Sequence, residues 1–156
     1  MLLANLVLNF FTFLVMASLS SIANAGSIYS TYESESKTIC FVGPTGKNGE
    51  ITWQDCSKSR DTLIISRNLD KDYPPVSIRL HSIWTNGHEC HFEGAGKIEN
   101  KHVIAIDPEM PKCELSISFK GKKAYLHLPP DCTSNFCGAR GAIDGEIFIK
   151  KSKSTK

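Results

Sequence analysis

Apolar and polar residues alternate along most of this chain, and this period of two limits its fold more than any other feature. Residues i and i+2 lie on one face of a β-strand, so the pattern predicts strands with one buried face. In "KCELSISFKG" that face carries Cys113, Leu115, Ile117 and Phe119. In "VSIRLHSIW" it carries Val76, Ile78, Leu80 and Trp84. Shorter runs repeat the pattern at Ile51/Trp53, Leu63/Ile65, Cys90/Phe92, Ile104/Ile106, Leu126/Leu128 and Ile147/Ile149.

Turn signals separate these runs. The dipeptides Asn48-Gly49, Asn86-Gly87 and Asp144-Gly145 accept positive φ and suit tight hairpin turns. Neither heptads nor an amphipathic helical stripe follow the first 25 residues. Short strands at regular spacing predict an all-β fold, a small antiparallel β-barrel or sandwich of about eight strands.

The first 25 residues differ in kind from the rest. They carry no charged side chain, and an apolar stretch is followed by small residues that end in Ala23-Asn24-Ala25. This pattern is typical of a cleaved secretory signal, so we predict a signal peptide at residues 1–25 and a mature chain that begins at Gly26. Residues 26–37 are expected to form a flexible lead-in, 38–150 a single β domain, and 151–156 a basic tail. The expected location is periplasmic or secreted, with no membrane span after cleavage.

Charge does not point to a nucleic-acid partner. The chain has 18 basic and 16 acidic residues, a formal net charge of +2. Four lysines lie in the last seven residues: Lys150, Lys151, Lys153 and Lys156. Without this tail the body is close to neutral, and a solvated terminus explains the excess of charge.

All six cysteines follow the signal, and an even number in an exported chain indicates disulfides. Sequence alone cannot choose among the possible connectivities. We predict that neighbours pair, because the smallest loops close most easily. The predicted bonds are Cys40–Cys56, Cys90–Cys113 and Cys132–Cys137.

Familiar arrangements for catalysis, cofactors or metals are absent from the sequence. "GPTGKNG", residues 43–49, lacks the spacing of a phosphate-binding loop and is expected to be a hairpin loop. "GHECH" holds His88 and His91, but residues three apart on a strand point to opposite faces, so these two histidines cannot easily share a metal. An oxidised set of cysteines supplies no thiolate nucleophile. We therefore expect no cofactor, no metal site and no enzymatic activity.

The segment "CTSNFCGARGAIDG" is the candidate binding site. A disulfide across four residues would fix a tight loop that loses little entropy on meeting a partner. The proposed contact residues are Thr133, Ser134, Asn135, Phe136, Arg140 and Asp144. Two alternatives stay open: a structural staple with Phe136 turned inward, and a simple surface ion pair between Arg140 and Asp144.

"CTSNFCG" resembles, in spacing, the C-x4-C-G loop of the vertebrate-type lysozyme inhibitor family, a group of exported disulfide-bonded β proteins. That family's loop carries a histidine, which Thr133 to Phe136 do not provide. "CHFEG" and "CGARGAIDG" are also similar to motifs of exported bacterial cysteine-rich β proteins, a likeness that implies no activity. The first resemblance implies a loop that enters the lysozyme cleft.

These observations predict an exported protein-binding module, such as a periplasmic inhibitor of a cell-wall hydrolase of the lysozyme type. Ser134, Asn135 and Arg140 would hydrogen-bond the catalytic carboxylates, and Phe136 would fill a sugar subsite. The alternatives are an immunity protein against a toxin delivered to the periplasm and a small enzyme that acts on the cell envelope.

Overall fold

The computed structural model describes residues 28–51, 53–84, 87–138 and 141–152. Its strands are β1 (Ser30–Glu33), β2 (Lys37–Val42), β3 (Gln54–Ser59), β4 (Thr62–Arg67), β5 (Val76–Ile83), β6 (Glu89–Glu99), β7 (His102–Ile106), β8 (Glu114–Lys120), β9 (Lys123–His127) and β10 (Ile147–Lys150). A helix, α1 (Pro130–Phe136), lies between β9 and β10. Eight antiparallel strands close a barrel in the order β1-β10-β9-β8-β7-β6-β5-β4, which confirms the all-β prediction. Strands β2 and β3 form a separate two-stranded sheet.

The barrel interior is filled by apolar side chains from alternate strand positions. On β5 these are Val76, Ile78 and Leu80, all nearly inaccessible to solvent. Phe92 on the neighbouring strand β6 and Phe148 on β10 are also fully buried. Burial of each such side chain contributes about 1.5–3 kcal/mol, so this alternating face is the main source of the barrel's stability.

In β7 and β10 the sequence pattern places Ile104/Ile106 and Ile147/Ile149 on the inner face, but the buried residues are those that alternate with them. Val103, Ala105 and Phe148 point inward. Ile106 and Ile147, in contrast, are 38% and 43% exposed. Both faces of these strands are apolar, so a period of two predicts the strand without identifying its inner face.

The prediction of a flexible lead-in over residues 26–37 is wrong for β1, which closes the barrel. This strand pairs with both β4 and β10. Tyr32 is 2% exposed and donates its hydroxyl to the backbone oxygen of Ile28 at 2.9 Å. Nζ of Lys151 lies 2.6 Å from Oε1 of Glu33 and forms an ion pair with it. The start of the predicted basic tail therefore also contacts the barrel. One buried tyrosine in a polar run was too weak a sequence signal for a strand.

The glycine of each predicted turn dipeptide has the expected positive φ. Gly49, Gly87 and Gly145 have φ values of 84°, 72° and 77°. The predicted signal peptide, residues 1–25, and the predicted mature N-terminus at Gly26 lie outside the described residues.

The three disulfides are Cys40–Cys56, Cys90–Cys137 and Cys113–Cys132. The first was predicted. The predicted pairs Cys90–Cys113 and Cys132–Cys137 are wrong. Cys132 and Cys137 do not pair because residues 130–136 form a helix rather than a loop. Five residues of helix rise about 7.5 Å, beyond the Cα separation of about 7 Å that a disulfide can span. The two cysteines at the ends of this helix therefore bond to different partners: Cys132 to Cys113, and Cys137 to Cys90.

The sequence around α1 explains why the helix starts where it does. Pro130 occupies the first turn, where its fixed φ is favourable and its missing N–H is not needed. Asp131 places a negative charge near the helix N-terminus. The helix ends at Phe136, and the N–H of the next residue, Cys137, is donated to the Thr133 carbonyl at 3.0 Å.

Candidate functional site

The predicted binding loop is a short helix held against the barrel. Phe136 is 8% exposed, and its ring lies 5.1 Å from that of Phe92 in the core. Ser134 and Asn135 are exposed and Thr133 is half-buried. Since the Cys132–Cys137 bond does not exist, the premise of a closed loop with an aromatic tip is wrong.

Disulfides tie both ends of this helix to the barrel. Cys132 bonds to Cys113, just before β8, and Cys137 bonds to Cys90 on β6. The N–H of Gly138 is donated to the carbonyl of Glu89 at 3.2 Å. These contacts match the structural staple, with Phe136 turned inward.

Of the two remaining predicted site residues, Asp144 contacts the end of β9. Asp144 accepts hydrogen bonds from the N–H of Leu128 at 3.1 Å and lies 2.8 Å from Nδ1 of His127. It therefore bridges the chain that leads into β10 and the end of β9. Arg140 lies outside the described residues.

The sheet outside the barrel is the more exposed part of the molecule. We call β2, β3 and the loop between them the arm. Four of its apolar side chains are accessible: Phe41 (38%), Val42 (36%), Ile51 (54%) and Trp53 (55%). These are four of the ten large apolar side chains that are exposed in the described chain. Such a concentration of exposed apolar side chains in one small element is typical of an interaction surface.

The arm has a defined internal structure. Cys40 and Cys56 are register partners and form the disulfide across its two strands. A bridge between Thr45 and Ile51 continues the pairing toward the tip. There the N–H of Gly49 is donated to the carbonyl of Gly46 at 3.0 Å, which leaves Lys47 and Asn48 at the apex of the turn.

A buried ion pair fixes the base of the arm. Lys37, the first residue of β2, places its Nζ 2.6 Å from Oδ2 of Asp61, whose side chain is fully buried. The other oxygen of Asp61 accepts the N–H of Ile83 at 3.0 Å. The Lys37 ammonium also lies 4.5 Å from the centre of the Trp84 ring. Such a pair favours one arrangement of the chain more than it adds net stability.

The arm also packs against the turn between β5 and β6. The ring of Phe41 lies so close to Gly87 that a Cβ at this glycine would come within 2.8 Å of Cε1. Ile39, on the same face of β2, is 3% exposed. One side of the arm is thus seated on the barrel, while Trp53 and Ile51 stay accessible.

A pocket of about 390 Å³ lies beside the base of the arm. Its lining includes Asp61, Lys37 and Glu146. Burial raises the pKa of Glu146; the nearby charge of Lys37 opposes this rise and that of Asp61 adds to it. A carboxylate with a raised pKa in a pocket is a feature that enzymes use.

Two histidines and a glutamate meet on the outer face of β5 and β6. Nε2 of His91 lies 2.7 Å from Oε2 of Glu89, and Nε2 of His81 lies 3.5 Å from the same oxygen. Hydrogen bonds with His91 and His81 lower the pKa of the Glu89 carboxyl. The sequence analysis considered His88 and His91 and missed His81, because the pairing of β5 with β6 cannot be read from spacing.

Comparison with protein families, curated proteins and solved structures finds no match for this chain. Within the described residues, no helix has the length and apolar character needed to cross a membrane. The sequence signals for the arm were its Asn48-Gly49 turn and the alternation of Ile51 and Trp53, which were assigned to a hairpin rather than to a site.

Proposed function

We propose that this protein is an exported protein-binding module and that the arm, rather than residues 132–137, contacts the partner. The observation that carries this proposal is the exposure of Trp53 and Ile51 on a disulfide-linked hairpin outside the barrel. The barrel interior is packed with side chains, so the fold supports recognition by an outer surface better than uptake of a ligand.

The arm has the physical properties of an effective contact element. Its disulfide and the Lys37–Asp61 pair hold its shape before binding, so little conformational entropy is lost on association. Accessible tryptophan is among the side chains that contribute most to interfaces. The near-neutral body provides little long-range attraction, so affinity depends on these short-range contacts.

The partner class that we favour is a cell-wall hydrolase of the lysozyme type, which the protein would inhibit. Such enzymes hydrolyse a glycosidic bond with the help of two carboxylates that line the active-site cleft. Lys47 and Asn48, at the apex of a narrow hairpin, offer a cation and an amide donor to those carboxylates. Trp53 would cover apolar surface at the edge of the cleft.

The test is binding and inhibition with a panel of lysozymes and other cell-wall hydrolases. Trp53→Ala and Lys47→Ala should each weaken binding to the true partner, the tryptophan change by about 2 kcal/mol or more. Leu69→Ala is the matched control, because Leu69 is an 86% exposed apolar residue outside the arm. An equal loss with the control, or full affinity in Trp53→Ala, would show that the arm is not the contact element.

An immunity protein against a toxin delivered to the periplasm would use the same arm on another target. Capture from periplasmic extract by the wild type and by Trp53→Ala separates the two functions. A captured hydrolase supports inhibition, and a captured toxin supports immunity. Partners that bind both variants equally would argue against either role for the arm.

A small envelope-acting enzyme is the second candidate, and the pocket with Glu146 favours it. A buried carboxyl group with a raised pKa, such as that of Glu146, can act as a general acid. The Asp61 carboxylate beside it has a side-chain exposure of 0% and is bonded to Lys37 and Ile83, so its role is structural. Hydrolysis of purified peptidoglycan that is lost in Glu146→Gln, with unchanged folding, would establish the enzyme.

We further propose that the chain is exported to the periplasm or secreted. Three disulfides are compatible with an oxidising compartment. The intact mass of the exported protein should correspond to Gly26–Lys156 less six hydrogens. A retained Met1, or a mass that indicates free thiols, would contradict the proposed processing and compartment.

A further inference from the structure

The group His81, Glu89 and His91 is set by the register of two barrel strands. His81 on β5 and His91 on β6 are directly opposite each other. Glu89 lies two residues before His91 on the same strand and therefore on the same outer face. The two imidazole rings stack with their centres 4.6 Å apart. Three potential ligands thus converge from positions that the sheet itself determines.

Their spacing fits a single metal ion. One ligand atom from each residue lies within 4.8 Å of the others. Zinc binds imidazole nitrogen and carboxylate oxygen at about 2.0–2.2 Å, so two ligands on a tetrahedral ion are about 3.3 Å apart. The 2.7 Å and 3.5 Å separations from Glu89 bracket this value. Side chains that are 41–61% exposed can make the remaining adjustment by rotation.

The backbone beneath the group is held in place. Cys90, between Glu89 and His91, points into the core and is bonded to Cys137. The Glu89 carbonyl accepts the N–H of Gly138 at 3.2 Å. A site on such a braced strand keeps its geometry better than one on a loop.

The local charge also suits a cation. Arg79 is the nearest basic residue along β5 on this face, and its guanidinium is paired with Glu93 at 2.8 Å. The Glu89 carboxylate supplies a negative charge between the two imidazoles. Two nitrogens and one carboxylate oxygen favour borderline transition metals over Mg²⁺ and Ca²⁺, which prefer oxygen ligands.

We propose that His81, Glu89 and His91 bind one divalent transition-metal ion, Zn²⁺ or Cu²⁺, on the outer wall of the barrel. Three protein ligands leave a coordination position open for water or for a group from another molecule. This site is separate from the proposed function of the arm and does not depend on it.

The test is calorimetric titration of the tag-free mature protein with ZnCl₂ and, separately, with CuCl₂. We expect saturable binding with one ion per chain. His81→Asn, His91→Asn and Glu89→Gln should each weaken it by at least about 10-fold, since even indirect partners of a metal contribute that much. Electron paramagnetic resonance of the Cu²⁺ form should show coupling to nitrogen that decreases in either histidine variant.

The matched control is His127→Asn. His127 lies 2.8 Å from Asp144, so it belongs to an exposed histidine–carboxylate pair without the second imidazole. This variant should bind both metals as the wild type does. An equal loss in His127→Asn, unchanged binding in His81→Asn, equally tight binding of MgCl₂ or CaCl₂, or no saturable heat with either transition metal would each overturn the proposal. Melting curves without metal verify that every variant is folded.

Discussion

Strands β5 and β3 both belong to antiparallel sheets, yet different interactions hold them in place. Every second residue of β5 is buried: the apolar side chains of Val76, Ile78 and Leu80, and the small polar side chain of Ser82. The sequence of β3 is QDCSKS, and its first five residues are exposed. Cys56 of β3 is bonded to Cys40, the residue opposite. A barrel strand is thus specified by its hydrophobic pattern, whereas the arm depends on a covalent bond, a turn and a clamped base.

The largest effect is expected from Phe92, inside the barrel. Phe92→Ala removes a fully buried ring that packs against Phe136, so it should lower the free energy of unfolding by about 3–5 kcal/mol. Phe41→Ala is the control in the arm, where the ring is partly exposed, and should cost about 1 kcal/mol or less. Urea unfolding measures both. Similar losses in the two variants would remove the distinction between barrel and arm.

The disulfide between Cys113 and Cys132 is the next strongest test. It connects α1 to the start of β8, and both cysteines are buried. Replacing both by Ser should cost about 2–5 kcal/mol, the usual effect in small secreted domains. Thermal melting under non-reducing conditions measures the loss. A change below about 1 kcal/mol would mean that the helix is not part of the cooperative unit.

Alkaline pH tests whether β1 belongs to the barrel. Burial raises the pKa of Tyr32 from its ordinary value of 10.0 to about 12. Above pH 10 the unfolded chain loses this proton and the folded chain keeps it, so the stability present below pH 10 is lost as pH rises toward 12. The two-unit difference corresponds to about 2–3 kcal/mol. Tyr32→Phe should lose correspondingly less between these pH values in unfolding experiments, and a parallel decline in both proteins would contradict a buried Tyr32.

The smallest effect on global stability is expected from the arm disulfide. Its sequence separation is 16, and a bridge of this size would contribute about 3 kcal/mol if arm and barrel unfolded together. We expect Cys40→Ser with Cys56→Ser to cost less than about 1 kcal/mol, because the arm can open locally. Trypsin should cut this variant faster at Lys47, and affinity for the partner should fall. A full 3 kcal/mol loss would show one cooperative unit.

The barrel could be predicted from the sequence, because burial of one face imposes alternation on each strand. Leu115 and Ile117 illustrate this: their spacing alone places them in the core. Tyr32 could not be placed in the same way, since β1 offers one buried aromatic residue among polar neighbours. What closes the barrel is a pairing between the two ends of the chain, which local patterns do not reveal.

The candidate sites were harder to predict for a related reason. The sequence predicts a loop at residues 132–137 because two nearby cysteines suggest a small ring, whereas the structure has a helix that begins at Pro130. His81 and His91 are brought together by strand register, which depends on the whole sheet. The exposure of Trp53 became meaningful only when β2 and β3 were seen to stand outside the barrel.

The adjacency of β1 and β10 has a consequence for the order in which this chain can fold. The contact between Glu33 and Lys151 joins residues 118 positions apart, so the wall stays open until the last strand is present. A chain that emerges N-terminus first from a ribosome or a translocation channel therefore has an open sheet until nearly all of its residues have emerged. Long-range closure of this kind is slow. Until closure the chain can still pass through a narrow channel. In the open sheet, β1 and β9 are unpaired edges on which folding helpers could act.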